Sequence, residues 1–82
     1  MELVARNEAQ LAANLRRFRK KAGLTQGGLG SLVQMRQATI SELEAGSAAK
    51  LDTVFTILSA LNLELVVRPR QAGGDTALED LF

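Results

Sequence analysis

Arg36, Gln37, Ala38 and Thr39, with Ser41 just beyond them, carry side chains suited to the edges of base pairs. An Arg fork matches guanine O6 and N7, a Gln amide matches adenine, and Ala or a Thr methyl matches the thymine methyl. A second stretch lies just upstream. Residues Thr25 to Thr39 read TQGGLGSLVQMRQAT, with Gly27, Gly28 and Gly30 inside four positions. Such a stretch raises the chemistry of a phosphate cradle. That cradle needs GK[ST] after four spacers, and no Lys lies between Lys21 and Lys50. No strand signal precedes it either, so the glycines belong to a helix.

Other chemistry is poorly supplied. There is no His and no Cys, which removes the commonest general base, the commonest metal ligand and any disulfide. Tyr and Trp are also absent. Glu42 and Glu44 are two residues apart on a helix and point in different directions, so a surface role is expected rather than a paired carboxylate site. The composition argues against an enzyme, and no cofactor or metal is expected.

The elements that must position these residues follow from periodicity. Asn7 can cap a helix, with Gln10 three residues on as its capping-box partner. Leu11, Leu15, Phe18 and Ala22 then form one apolar stripe. Lys20 and Lys21 suit the negative end of the helix dipole, and Gly23 can close the helix in a left-handed conformation. The first helix is predicted over about 8–22. Thr25 is a good N-cap, and Leu29, Leu32 and Val33 predict a second helix over 26–33. After a tight connection, Ile40, Leu43 and Glu44 predict a third over 36–44, stopped by Gly46. Leu51, Val54, Phe55, Leu58 and Leu61 predict a fourth over 51–61, assigned to the core and part of a dimer interface, with Asn62 in the closing position. The alternation in LELVVR then predicts a strand over 63–68, ended by Pro69. A lone six-residue strand is not stable in water. The same strand from a second copy is the simplest partner, antiparallel across a two-fold axis.

Length and charge set the frame. Eighty-two residues suffice for one small domain. A chain this short buries only about 60% of its unfolded surface, which favours dimerisation. Residues 1–50 hold eight bases and four acids, net +4, whereas residues 51–82 hold two bases and five acids, net −3. A basic half and an acidic tail suggest two partners. The RRFRKK run (Arg16–Lys21) is expected mainly as a solvated helix end. MELVARNEAQ has no signal-peptide pattern, and no apolar run approaches the ~20 residues needed to span a bilayer. A soluble, cytoplasmic, nucleoid-associated protein with no membrane partner is expected.

A helix of about eight residues, a short turn and a second short helix make a helix-turn-helix, whose second helix lies in the major groove. At this point GLTQ (Gly23–Gln26) and QATISELEAG (Gln37–Gly46) resemble the xenobiotic-response-element type, the fold of lambda-type phage repressors. The resemblance covers roughly residues 8–62. It implies four or five helices around one core, with Gln26, beside Thr25, anchoring a DNA phosphate. QLA (Gln10–Ala12), TQ, RQATIS and TVFTILSALNLEL, followed by the short strand, narrow the likeness to the HipB antitoxins. That likeness implies a homodimer on palindromic operator DNA that also holds a HipA-like serine/threonine kinase toxin. It maps base reading to Arg36, Gln37, Ala38 and Ser41, with Thr39 close by. It places Leu63, Leu65, Val66 and Val67 in a dimerisation strand, and Leu78, Leu81 and Phe82 in a tail that meets the toxin.

The expected organisation is thus an N-terminal arm (1–7), a DNA-binding domain (8–62), a β-lid strand (63–69) and a flexible tail (70–82), in an otherwise all-α fold. The expected function is repression of its own operon and neutralisation of the kinase. A stand-alone phage-type repressor without a toxin is the alternative. The chain departs from the family where Gln34 holds a turn position often taken by Gly. Gly27 and Gly28 also replace charged helix formers, and Gly30 replaces a small Ala. Interior helix glycines cost roughly 0.8–1.0 kcal/mol each against Ala, so the second helix is expected to be the weakest.

Overall fold

The computed structural model describes residues 1–70, which form four helices and no strand. They are α1 (Glu8–Lys21), α2 (Gln26–Val33), α3 (Gln37–Glu44) and α4 (Leu51–Ala60). The start of α1 is capped as its sequence predicts. Asn7 is extended, and its Oδ1 accepts from the Gln10 backbone N–H at 2.8 Å. The Gln10 side chain reaches one residue further back than a standard capping box and accepts from the Arg6 N–H. Thr25 caps α2 in the same way, accepting from the Gly28 N–H at 2.9 Å. Arg36 and Lys50 precede α3 and α4 without any side-chain cap.

All four helices end in the same turn. After α1, Gly23 N–H donates to Lys20 C=O and Leu24 N–H to Arg19 C=O. Equivalent pairs of bonds close α2 at Gln34 and Met35, α3 at Gly46 and Ser47, and α4 at Asn62 and Leu63. These are Schellman motifs, each with its pivot in the left-handed region: Gly23, Gln34, Gly46 and Asn62 all have positive φ. The motif folds the next residue back onto the helix. Leu24, Met35 and Leu63 accordingly pack against the core.

That core is small and draws on every helix. Leu15 comes from α1, Leu29 from α2, Ile40 and Leu43 from α3, and Val54, Ile57 and Leu58 from α4. Leu29, Ile40 and Ile57 are fully enclosed. The glycine-rich stretch is indeed helical. A Cβ at Gly30 would stand 2.7 Å from the Met35 carbonyl oxygen, so the missing side chain allows the turn into α3 to lie directly on α2.

The observed faces differ from the predicted stripes on α1, α2 and α4 and at the start of α3; on α2, Leu32 of the predicted stripe is 59% exposed. On α1 the buried positions are Ala12, Leu15 and Arg19, while Leu11 and Phe18 are half-buried and Ala22 is exposed. On α4, Leu51 and Phe55 are 67% and 45% exposed, and Ile57 takes the central buried place. Arg36 stands before α3 in extended backbone instead of opening the helix. The 3.6-residue period leaves a choice of adjacent stripes, and the packing partner selects one.

Residues 63–68 carry no regular secondary structure in the single chain, so the expected strand is not formed there. Its N–H and C=O groups need a neighbouring strand, and the described residues of the single chain supply none. Leu65, Val66 and Val67 are exposed, whereas Leu63 is tucked against the core. Arg68 pairs with Glu2 at 3.2 Å, which lays the N-terminal arm beside this segment. Leu78, Leu81 and Phe82 lie outside the described residues.

Candidate nucleic-acid interface

The backbone turn between α2 and α3 determines what α3 displays. Gln34 is left-handed and Arg36 is extended, so the chain reverses within three residues and α3 begins at Gln37. On α3, Ile40 and Leu43 face the core. Gln37, Ala38 and Ser41 fall on the opposite face at i, i+1 and i+4 and are exposed, as is Arg36 immediately before them. Thr39 is half-buried at the edge of this face. The structure therefore brings Arg36, Gln37, Ala38 and Ser41 together on one accessible surface at the N-terminal end of α3. The Arg36 side chain makes no hydrogen bond, and neither does that of Gln37, among the described residues.

Thr25 and Gln26 sit at the N-terminus of α2. The Thr25 hydroxyl accepts a cap bond. Gln26 is half-buried, and its Nε2 donates to Glu44 Oε1 at 3.3 Å. A carboxamide nitrogen has two N–H donors, so one remains for an outside acceptor.

Glu44 was expected at the surface, and Arg19 as part of a solvated helix end. Instead their side chains are only 4% and 7% exposed and form a two-point ion pair. Arg19 Nε donates to Glu44 Oε2 at 2.6 Å, and Nη2 donates to Oε1 at 3.0 Å. The third guanidinium nitrogen, Nη1, donates to the Leu24 carbonyl at 2.6 Å. The planar Arg fork fits a carboxylate in this two-point manner. No buried side-chain N or O lacks a partner among the described residues. The Glu44 hydrogen bond holds the Arg19 pKa up against burial. Burial alone would push the Glu44 carboxyl up, but the Arg19 and Gln26 hydrogen bonds and the Arg19 and Arg16 charges outweigh it, leaving it below its ordinary range.

A signal for this pair was present in the sequence. Arg19 lies four residues after Leu15 and Glu44 lies four after Ile40, so each continues a buried stripe. A charge at such a position either ends the stripe or finds an opposite charge, and long charged side chains are rarely buried unless paired.

Two short helices joined by a left-handed turn, with a polar face at the start of the second, make a helix-turn-helix DNA-binding regulator fold. Residues 10–71 match the family described as helix-turn-helix domain. The solved structures bear the same fold. A HipB–O4 20mer complex contains a chain 30% identical to this one, with a TM-score of 0.78, over 85% of this chain and 100% of that one. A HipA–HipB–O2–O3 complex gives 30% identity and a TM-score of 0.77 over the same shares. The clp gene regulator ClgR from C. glutamicum is 30% identical, with a TM-score of 0.65, over 71% of this chain and 74% of its own. No curated protein matches. The chain belongs to the helix-turn-helix domain family and, within it, to the HipB type.

Proposed function

We infer that this protein is a sequence-specific repressor that binds a palindromic operator as a homodimer and neutralises a HipA-like serine/threonine kinase toxin. The single observation that carries the DNA-binding reading is the exposed Arg36, Gln37, Ala38 and Ser41 face at the start of α3. Arg36, Gln37 and Ser41 hydrogen-bond base edges, and Ala38 and Thr39 make close apolar or phosphate contacts. Thr25 and Gln26 anchor phosphate, Gln26 through its second N–H. The protein acts in the cytoplasm, associated with the nucleoid.

The dimer rests on two features. Leu65, Val66 and Val67 are exposed in a segment of alternating pattern with no strand partner among the described residues. Leu51 and Phe55 add an uncovered apolar pair one turn apart on α4. Pairing residues 63–67 across a two-fold axis makes a small β-lid and gives that segment a ladder. The toxin reading draws on the HipA–HipB–O2–O3 complex, in which a similar chain is assembled with HipA. ClgR, described as a gene regulator and equally identical to this chain, favours a second reading, a stand-alone regulator.

The test of base reading is Gln37→Ala in operator binding. The expected loss is about 1–3 kcal/mol of affinity. Unchanged affinity together with unchanged base preference sinks the assignment. Copurification with a kinase encoded by the adjacent reading frame separates the two regulator readings, since a stand-alone regulator captures no kinase.

A further inference from the structure

Three glycines stand in α2, and two have a local reason. A Cβ at Gly30 would collide with the Met35 carbonyl at 2.7 Å, and a Cβ at Gly28 would press on the capping Thr25 hydroxyl at 3.1 Å. Gly27 has neither constraint. Its φ lies outside the left-handed region, and the nearest atom a Cβ would meet beyond its own helix is Gln37 Oε1 at 3.6 Å, an ordinary contact. The backbone does not require glycine there, and helix propensity disfavours it.

What Gly27 does determine is the surroundings of Gln37. The Gln37 side-chain oxygen lies 3.6 Å from where a Cβ at Gly27 would stand, and the carboxamide makes no hydrogen bond among the described residues. A carboxamide carries both an acceptor and two donors. Held in one orientation it matches adenine, accepting from N6 and donating to N7. Turned otherwise it can donate to guanine N7 and O6, accept from cytosine N4, or donate to thymine O4. Only a neighbour that clamps the amide restricts it to one of these.

We propose that Gly27 is a specificity-determining position: by leaving Gln37 unclamped, it lets Gln37 accept more than one base and makes one operator position degenerate. This rests on the assignment of Gln37 to base reading. Affinity supplied by Gln37 and discrimination supplied by Gln37 are separate quantities, and Gly27 governs the second. A polar side chain at residue 27 would lie alongside the Gln37 amide and hydrogen-bond to it, fixing its direction.

The test uses a DNA duplex selected from a random library by the wild-type protein, with every single-base substitution in it. Equilibrium binding is measured for the wild type, Gly27→Gln, Gly27→Ser, Gln37→Ala and the double variant Gly27→Gln/Gln37→Ala. Both Gly27 changes improve helix propensity, and thermal melting verifies the fold. The wild type should distinguish bases at the Gln37 position by less than about fivefold. Gly27→Gln should raise this toward the roughly 5- to 150-fold of a fixed two-point contact, and Gln37→Ala should abolish the gain. The proposal is overturned if neither Gly27 variant changes any base ratio by more than about twofold, or if the gain survives Gln37→Ala. If Gln37→Ala alone leaves both affinity and preference untouched, the base-reading assignment fails as well.

Discussion

Arg19 and Glu44, 25 residues apart, meet through two hydrogen bonds of 2.6 and 3.0 Å in a nearly closed site. The pair joins α1 to the last residue of α3. Because Arg19 also donates to Leu24 C=O and Glu44 also accepts from Gln26, the same four residues hold the entrance to α2. The orientation of α3, the proposed base-reading helix, is therefore tied to α1 and to the proposed phosphate anchor by one polar cluster.

Removing one partner leaves the other buried and charged. Glu44→Ala should lower unfolding free energy by about 3–5 kcal/mol, which is most of the stability of a domain this small. The double variant Arg19→Met/Glu44→Leu should recover a large part, because apolar replacement of both partners removes the stranded charge. Urea denaturation of the two single variants, the double variant and the wild type measures the coupling. Additive losses would contradict the pairing.

The same pair sets a pH dependence. The Glu44 carboxyl is held below its ordinary value in the folded chain, so it binds a proton less readily there than when unfolded. Its stabilisation is complete above the unfolded value of about 4.3 and is lost as pH falls through the folded value. Stability measured from pH 7 down to pH 3 should fall in the wild type below about pH 4.3. In Glu44→Gln, which starts lower, that part of the slope should be absent.

Gln34 sits at φ 59°, where a side chain is strained. The left-handed region costs an ordinary residue about 1–2 kcal/mol, and glycine gives back part of that gain through its freer unfolded chain. Gln34→Gly should stabilise the domain by about 0.5–1 kcal/mol, and a melting-temperature rise of roughly 3–6 °C follows for a chain of this size. A lower melting temperature would mean that the Gln34 side chain makes a contact in solution that offsets its strain.

The proposed lid makes a separate prediction. Val66→Pro removes a ladder donor and fixes φ, so it should weaken dimerisation while leaving the melting of the helical domain nearly unchanged. Sedimentation over a concentration series reads the first effect, and circular dichroism reads the second. A wild type that is monomeric at micromolar concentration would refute pairing through residues 63–67.

Local signals carried much of this fold. Asn7 and Thr25 were legible as caps because their side chains answer backbone N–H groups three residues away. Gly23, Gly46 and Asn62 were legible as stops because left-handed backbone selects their residue types. The exposed polar face from Arg36 to Ser41 was legible because the turn and the α3 stripe are both local. The burial of Arg19 and Glu44 was not, since each looked like a solvated charge until its partner was brought beside it. The strand predicted at 63–68 carries no regular structure in the single chain for a related reason: alternation describes a face, and a ladder needs a second segment beside it.

The sequence by itself determined where the helices begin and end and which short stretch displays hydrogen-bonding side chains, because caps, turns and periodicity act within a few residues. Only the tertiary structure decided which adjacent stripe of α1 is buried, that Leu51 and Phe55 of α4 stay exposed, and that a charged pair sits beneath the α2 entrance. Those depend on the distance between groups remote in the chain, and packing alone sets that distance.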